Sequence, residues 1–225
     1  YRVLGRENVI ASQIVNVLYL FGLAGMIMGS VHAIMEEDTR RMIAYSSVAQ
    51  IGYIYMGIGL GTQAGMVAAV FHMFTHSATK ALLFISAVGL YEVSGDKKDY
   101  RSLRGAGYRN PLAGIGFAVG ALSMVGFPML AGFISKLLFA TSALQSPHKM
   151  IPTLIVLAVS TILNAIYFLR LVITLYSGGG SEKKGKASSW KLRAAILCFI
   201  LLNLVLGLKS QPVVQAIWDG LAMFD

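Results

Sequence analysis

The chain of 225 residues is 56% hydrophobic and only 13% charged, and its mean hydropathy is +0.68. A soluble domain usually carries about twice that charged fraction, so this composition excludes an ordinary soluble protein. The formal net charge of +9 does not indicate a nucleic-acid partner, because ten of the 19 basic residues fall in two loops, 94–110 and 178–193, of the kind that flank membrane helices.

Apolar segments follow one another along the chain, and seven of them are candidates for membrane spans. They cover residues 9–35, 42–60, 66–92, 111–128, 130–146, 152–177 and 192–208. None has the two-residue alternation of a membrane strand, so the sequence predicts an all-α, polytopic transmembrane helix bundle. Because three of these segments separate the two basic loops, the loops are expected on opposite faces of the membrane.

The third segment carries three basic side chains within its apolar run. A lysine as deep as Lys80 costs roughly 2.5–3.5 kcal/mol on insertion scales. His72, His76 and Lys80 are spaced i, i+4 and i+8, which places them on one helix face over roughly 12 Å. Burial disfavours the charged form of an amine and histidine titrates near neutral pH, so this column predicts a proton relay.

Two other interpretations of this column stay open. The histidines can hydrogen-bond to neighbouring helices while the lysine extends toward the membrane surface. Alternatively, His72 and His76 can bind a metal ion from one helix face, although no third ligand is evident in the sequence.

An interrupted helix is predicted near residues 126–136, where Gly126, Pro128 and Gly132 precede Lys136. A break at membrane depth is tolerated only where it is buried in protein or lines a cavity, and such breaks mark ion sites in transporters. Lys136 is therefore a candidate for a second titratable site. The alternative is an interfacial lysine at the end of a short helix.

The charged residues elsewhere limit the chemistry. Asp38 and Arg40 belong to a charged turn that is either a solvated connection or a part of the conduction path. None of the ten acidic residues falls in the middle of a predicted span, whereas a sodium site usually includes a carboxylate. The single cysteine, Cys198, excludes a disulfide within the chain. No flavin, haem or iron–sulfur pattern is present, so no cofactor is predicted.

Three motifs together resemble one protein family. Residues 38-DTRRMIAYSSVAQIGY-53 match D-x-K/R-K/R-x-L/I-A-Y-S-S-x-x-Q-x-G-Y, residues 72-HMFTHSATKALLF-84 match H-x-x-x-H-x-x-x-K-A/T-L-L-F, and residues 127-FPMLAGFISK-136 match x-P-x-x-x-G-F-x-S-K. The chain thereby resembles the antiporter-like, proton-translocating membrane subunits of respiratory complex I and of Mrp-type cation/proton antiporters.

The resemblance implies roles for individual residues. Lys80 corresponds to the central conducting lysine, with His72 and His76 as its companions, and Lys136 to the lysine of the discontinuous helix. Arg40 stands where many members have a lysine. Arginine stays protonated in proteins, so Arg40 can tune its neighbours but is a poor proton carrier.

The resemblance also implies an organisation. Family members usually have about fourteen helices in two inverted repeats, so this chain is expected to represent the C-terminal half. Residues 1–177 then belong to the proton-translocating domain, 178–191 form a flexible basic loop, and 192–225 form the last transmembrane helix and an interfacial tail.

The expected function is proton translocation as a subunit of an NADH:quinone oxidoreductase-like complex, in a bacterial or archaeal cytoplasmic membrane. The expected partners are other membrane subunits, the lipid bilayer, protons and, as an alternative, sodium; nucleic acid is not expected. The other functions considered are a sodium/proton antiporter subunit of the Mrp type, a non-conducting membrane scaffold, and a quinone- or metal-binding membrane enzyme.

Overall fold

The computed structural model describes residues 13–178 and 188–222. These residues form nine α-helices and no β-strand. The helices are α1 (Ile14–Met35), α2 (Thr39–Gly59), α3 (Gln63–Glu92), α4 (Ala106–Arg109), α5 (Pro111–Val125), α6 (Ala131–Ala143), α7 (Pro147–Leu175), α8 (Trp190–Leu208) and α9 (Gln211–Ala222). The predicted all-α, polytopic helix bundle is confirmed.

Within the described residues, four helices, α1, α3, α7 and α8, are long and apolar enough to cross a membrane. Helix α2 has 21 residues but is more polar, and α5 and α6 are shorter. Local signals in the sequence explain several helix starts. The Asp38 side chain accepts a hydrogen bond from the Arg41 amide at 3.0 Å, and Pro111 occupies the first turn of α5.

Helices α5 and α6 are two halves of one interrupted crossing, which corrects the prediction of a separate span at 130–146. Just before α5, the Asn110 side chain donates to the Gly89 carbonyl near the end of α3, at 2.9 Å. Just after α6, the Ser146 hydroxyl donates to the Leu60 carbonyl at the end of α2, at 3.4 Å. Since α2 and α3 run antiparallel, these contacts put the two ends on opposite faces.

The prediction that the two basic loops lie on opposite faces is therefore wrong. Only two crossings separate them, α5 with α6 and then α7, so both belong to the same face. The Gly105 amide of the first loop donates to the Thr174 carbonyl at the end of α7, at 3.3 Å. Ser188, just before α8, accepts a hydrogen bond from Asn110 at 2.9 Å. Residues 179–187 of the second loop lie outside the described part of the chain.

The charged turn between α1 and α2 lies on this basic face. The Thr39 amide donates to the Lys98 carbonyl at 2.9 Å, which joins the turn to the first basic loop. The Arg170 guanidinium stacks over the Tyr100 ring at 4.6 Å from its centroid, and burial raises the pKa of Tyr100 to about 12. These contacts hold the charged turn and the first basic loop at the ends of the helices.

Helix α3 occupies the centre of the bundle, because α2, α5, α6, α8 and α9 all contact it. Helices α1 and α2 form a hairpin that packs through glycines. A Cβ atom on Gly52 would lie 2.6 Å from the Met26 nitrogen and 2.7 Å from the Gly22 carbonyl oxygen. Small residues at such contacts let helix backbones approach closely in lipid.

The C-terminal segment forms α9, which packs against α3. Val70 and Phe74 of α3 line an apolar surface groove together with one side of α9. The predicted boundaries at 177, 191 and 192, and the interfacial character of the tail, stay predictions.

The shared face of the basic loops predicts a membrane orientation, because cytoplasmic loops carry an excess of lysine and arginine. In the full-length protein with Cys198→Ser, we expect an impermeant maleimide added to spheroplasts to label His148→Cys but not Lys97→Cys. Both positions are exposed, and they lie on opposite faces. Labelling of Lys97→Cys only after lysis is the expected control, and the reverse pattern would overturn the orientation.

The hairpin contact predicts a specific sensitivity at Gly52. We expect Gly52→Ala to destabilise the protein by about 1–3 kcal/mol, because the new methyl group forces two backbones apart. Thermal unfolding in detergent measures the effect. Gly25→Ala is the matched control, since its Cβ atom would meet no neighbour closer than 3.5 Å. Equal melting temperatures for the two variants would contradict the close packing.

Candidate functional site

Three of the predicted site residues, His72, His76 and Lys136, line one small cavity in the middle of the bundle. Its volume is about 10 Å³, close to the minimum that holds a single water molecule. The remaining lining residues are mostly polar or small, and they are Gln50, Thr75, Thr79, Ser123, Met124 and Gly132. The helix spacing and the predicted break thus bring their titratable groups to the same place.

The two histidines stack on one face of α3, as their spacing predicts. Their ring centroids are 5.9 Å apart and the rings are nearly parallel, at 13°. Nδ1 of His72 lies 2.6 Å from Oγ of Ser135, the residue before Lys136. His72 therefore joins α3 directly to the second half of the interrupted crossing.

The Lys136 ammonium lies at the break between α5 and α6. It donates to the carbonyl of Val125, the last residue of α5, at 2.8 Å, and to Oγ1 of Thr161 at 3.0 Å. The last carbonyls of a helix have no partner within the helix and carry partial negative charge, so a cation there is stabilised. The ring centroid of Tyr53 lies 5.7 Å from the ammonium, within cation–π range.

Glycines shape the break around this lysine. Gly126 has φ of 95°, and a Cβ atom there would lie 2.9 Å from Cδ of Lys136. A Cβ atom on Gly132 would overlap the Ser123 carbonyl oxygen. The two glycines thus allow the chain to interrupt the helix while the lysine side chain passes along it.

Lys80 is buried, with 7% of its surface exposed, but it does not line the cavity. Its ammonium donates to the Ile43 carbonyl of α2 at 2.6 Å and to Oγ of Ser46. His76 lies within electrostatic range of Lys80. His72, His76 and Lys80 therefore follow one another along α3, but the Lys80 ammonium turns toward α2.

Two polar clusters in the interior were not predicted from the sequence. In the first, the Tyr53 hydroxyl donates to Ser160 at 3.1 Å and the Tyr167 hydroxyl donates to Oδ1 of Asn164. In the second, Oδ1 of Asn203 in α8 accepts from Thr79 at 2.7 Å and from Ser123 at 3.0 Å. Single serines, threonines and asparagines in apolar segments were the available signal, but their partners lie far away in the sequence.

Three buried side-chain nitrogen atoms at the cavity have no hydrogen-bond partner within the described protein, namely Nε2 of Gln50, His72 and His76. Buried polar atoms are usually paired with protein or ordered water. The cavity is large enough for one water, which would supply a partner for such atoms. The site therefore combines titratable groups with unpaired polar atoms in the interior of the bundle.

Asp38 and Arg40 lie at the start of α2, outside this interior site. Asp38 caps the helix, and the Arg40 side chain is exposed. The acidic side chains in helices α1 to α8 are restricted to Glu92, the last residue of α3. Those residues also contain no cluster of three or more His, Cys, Asp or Glu that could hold a metal ion.

Comparison with known proteins adds relatives that carry the same segment. The chain is 34% identical over 218 residues to NADH-quinone oxidoreductase subunit N of Desulforudis audaxviator, covering 91% of this chain and 43% of that protein. It is 31% identical over 200 residues to subunit L of Buchnera aphidicola, covering 87% of this chain and 32% of the relative. The chain thus spans less than half the length of these curated relatives.

Solved structures share the fold. The Mrp complex from Dietzia sp. contains a chain with a TM-score of 0.85 and 24% identity, covering 93% of this chain and 47% of that one. Respiratory complex I from Thermus thermophilus, solved with bound aureothin, contains a chain with a TM-score of 0.71 and 28% identity, covering 90% of this chain and 45% of that one.

The sequence model of one family matches residues 2–163, most of the chain and all three motifs. The identities, the shared fold and this match agree with each other. The chain belongs to the NADH:quinone oxidoreductase/Mrp antiporter transmembrane family.

Proposed function

We propose that this chain forms part of a proton-translocating membrane subunit, in which protons pass along Lys80, His76 and His72 to Lys136. The observation that carries the proposal is the cavity shared by His72, His76 and Lys136. Titratable groups on two different elements meet there at a helix break. A water bound there would connect His72, His76 and Lys136, and Lys80 would join this path through His76, its neighbour on α3.

The partners of Lys136 support a role in proton exchange. A lysine in hydrocarbon is costly when charged, but the Val125 carbonyl and Thr161 hydroxyl stabilise its ammonium form. The opposing effects bring the charged and neutral forms closer in energy, which is what a proton carrier requires. Ser135 binds His72 and lies next to Lys136 on α6. A shift of α6 would therefore change this hydrogen bond and the position of the lysine together.

The relatives support a larger assembly. Subunits L and N are named as parts of NADH-quinone oxidoreductase, and the structural neighbours are multi-subunit membrane complexes. We infer that other membrane subunits are the partners of this chain and supply the remainder of the transmembrane path. Redox chemistry would then take place in those partners.

Protons fit the interior better than sodium does. A sodium ion is held by several oxygen ligands, usually with a carboxylate among them. The side chains at the cavity include two imidazoles and one ammonium group, which exchange protons and repel cations when charged. A role for Asp38 and Arg40 in conduction stays a prediction.

The proposal predicts that Lys136→Gln abolishes proton flux. In vesicles containing the parent complex with the full-length subunit, we expect flux to fall at least about a hundredfold, as when a positioned proton-transfer group is removed. Lys149→Gln is the matched control. Lys149 also donates to a helix-end carbonyl, that of Gly59 at 2.6 Å, and also lies over a tyrosine ring. It differs from Lys136 in lying at the end of the bundle, in the first turn of α7. Normal flux in Lys136→Gln would reject the proposal.

Lys80→Met distinguishes a relay from a scaffold. Removing a buried charge is expected to leave the protein folded, because Ser46 already donates to the Ile43 carbonyl at 2.8 Å without the lysine. A relay predicts loss of proton flux in an assembled complex, whereas a scaffold predicts unchanged flux and higher thermal stability. Measuring both quantities on the same vesicles separates the two functions, and replacing sodium by potassium tests the ion.

A further inference from the structure

Helix α8 lies outside the segment matched by the family, yet one of its buried side chains contacts residues that line the cavity. Asn203 is fully buried and contacts hydroxyl groups on α3 and α5. Those hydroxyls, of Thr79 and Ser123, line the same cavity as His76 and Lys136. The last described span thus touches the proposed proton site without contributing a titratable group.

The orientation of the Asn203 amide is set by its own helix. Nδ2 donates to the Phe199 carbonyl at 2.9 Å, and a carbonyl can only accept. The amide oxygen must therefore point away from Phe199, toward α3 and α5. There it accepts the Ser123 hydroxyl at 3.0 Å and the Thr79 hydroxyl at 2.7 Å.

This orientation decides where the hydroxyl lone pairs point. A hydroxyl has one hydrogen and two acceptor lone pairs. Ser123 directs its hydrogen to Asn203, and its oxygen accepts the Gly132 amide in the first turn of α6 at 3.2 Å. Thr79 shares its hydrogen between Asn203 and the Thr75 carbonyl, which is 2.7 Å away. Both hydroxyl oxygens thus remain acceptors beside the cavity.

We propose that Asn203 is a positioning residue of the proton site, which takes up the hydrogens of two hydroxyl groups beside the cavity so that their oxygens are left as acceptors for a proton donor there. The inference rests on the proposed function above. The titratable groups that face the cavity are His72 and His76 of α3 and Lys136 of α6, with Lys80 near His76. Helices α2 and α5 contribute uncharged side chains there, Gln50, Ser123 and Met124, and Asn203 of α8 contacts Ser123.

The test is Asn203→Leu in the full-length subunit within its parent complex, reconstituted in vesicles. We expect proton flux to fall about tenfold, because two buried hydroxyls lose their shared acceptor. The midpoint of flux against pH should move to lower pH, because the protonated form of the site has lost the hydroxyl oxygens that accept its hydrogen bonds. Leu206→Ala is the matched control, since Leu206 packs α8 against Ala78 and Ala131 without touching the polar cluster.

The control is expected to stay within about twofold of the parent flux with an unchanged pH midpoint, because it removes only apolar packing. If Asn203→Leu fails to assemble, Thr79→Val and Ser123→Ala replace it, and the double variant should reproduce the loss and the shift. An unchanged midpoint in Asn203→Leu or in that double variant overturns the inference. Lys136→Gln is measured alongside: if it abolishes flux while Asn203→Leu is normal, only the role of Asn203 fails.

Discussion

The ammonium group of Lys136 closes the end of a helix that stops inside the membrane. Helix α5 ends at Val125 in the interior of the bundle, where the carbonyl of a helix end needs a partner from the protein. Lys136, in the second turn of α6, donates to the Val125 carbonyl, so the helix break and the charge stabilise each other. An apolar residue at 136 would leave the carbonyl unpaired, and a continuous helix would leave the lysine without its acceptor.

The rest of the interior follows from this contact. Because the helix resumes as α6 at residue 131, Ser135 faces α3 and binds His72. Ser123 of α5 accepts the amide of Gly132 and connects to α8 through Asn203. Four helices, α3, α5, α6 and α8, are thereby joined around one cavity by polar contacts. Such contacts are costly to leave unpaired in lipid and so specify a single arrangement.

The sequence predicted the features that depend on near neighbours. A spacing of four residues places His72, His76 and Lys80 on one helix face in any α-helix, and Gly126 with Pro128 interrupts any helix. The resemblance to the family was likewise carried by short motifs. The structure and the comparisons agree with these expectations, although the part that each side chain plays in conduction stays a proposal.

The contacts between helices could not be predicted in this way. Lys80 turns to Ile43 and Ser46 because α2 packs beside it, and Asn203 meets Ser123 across 80 residues of chain. The two halves of the interrupted crossing were each apolar enough to look like a span, and a glycine–proline break looks like a turn between two spans. The chain direction beyond the break, and with it the side of the second basic loop, depends on that packing.

The buried lysine at the break is proposed to exchange its proton. The most direct measurement is ¹⁵N NMR of the lysine ammonium groups in the labelled, full-length subunit in lipid, with Lys136 assigned from its absence in a variant. We expect the Lys136 signal to change from ammonium to amine at a pH below that at which surface lysines titrate. A signal that stays that of an ammonium group up to the pH at which surface lysines titrate would contradict it.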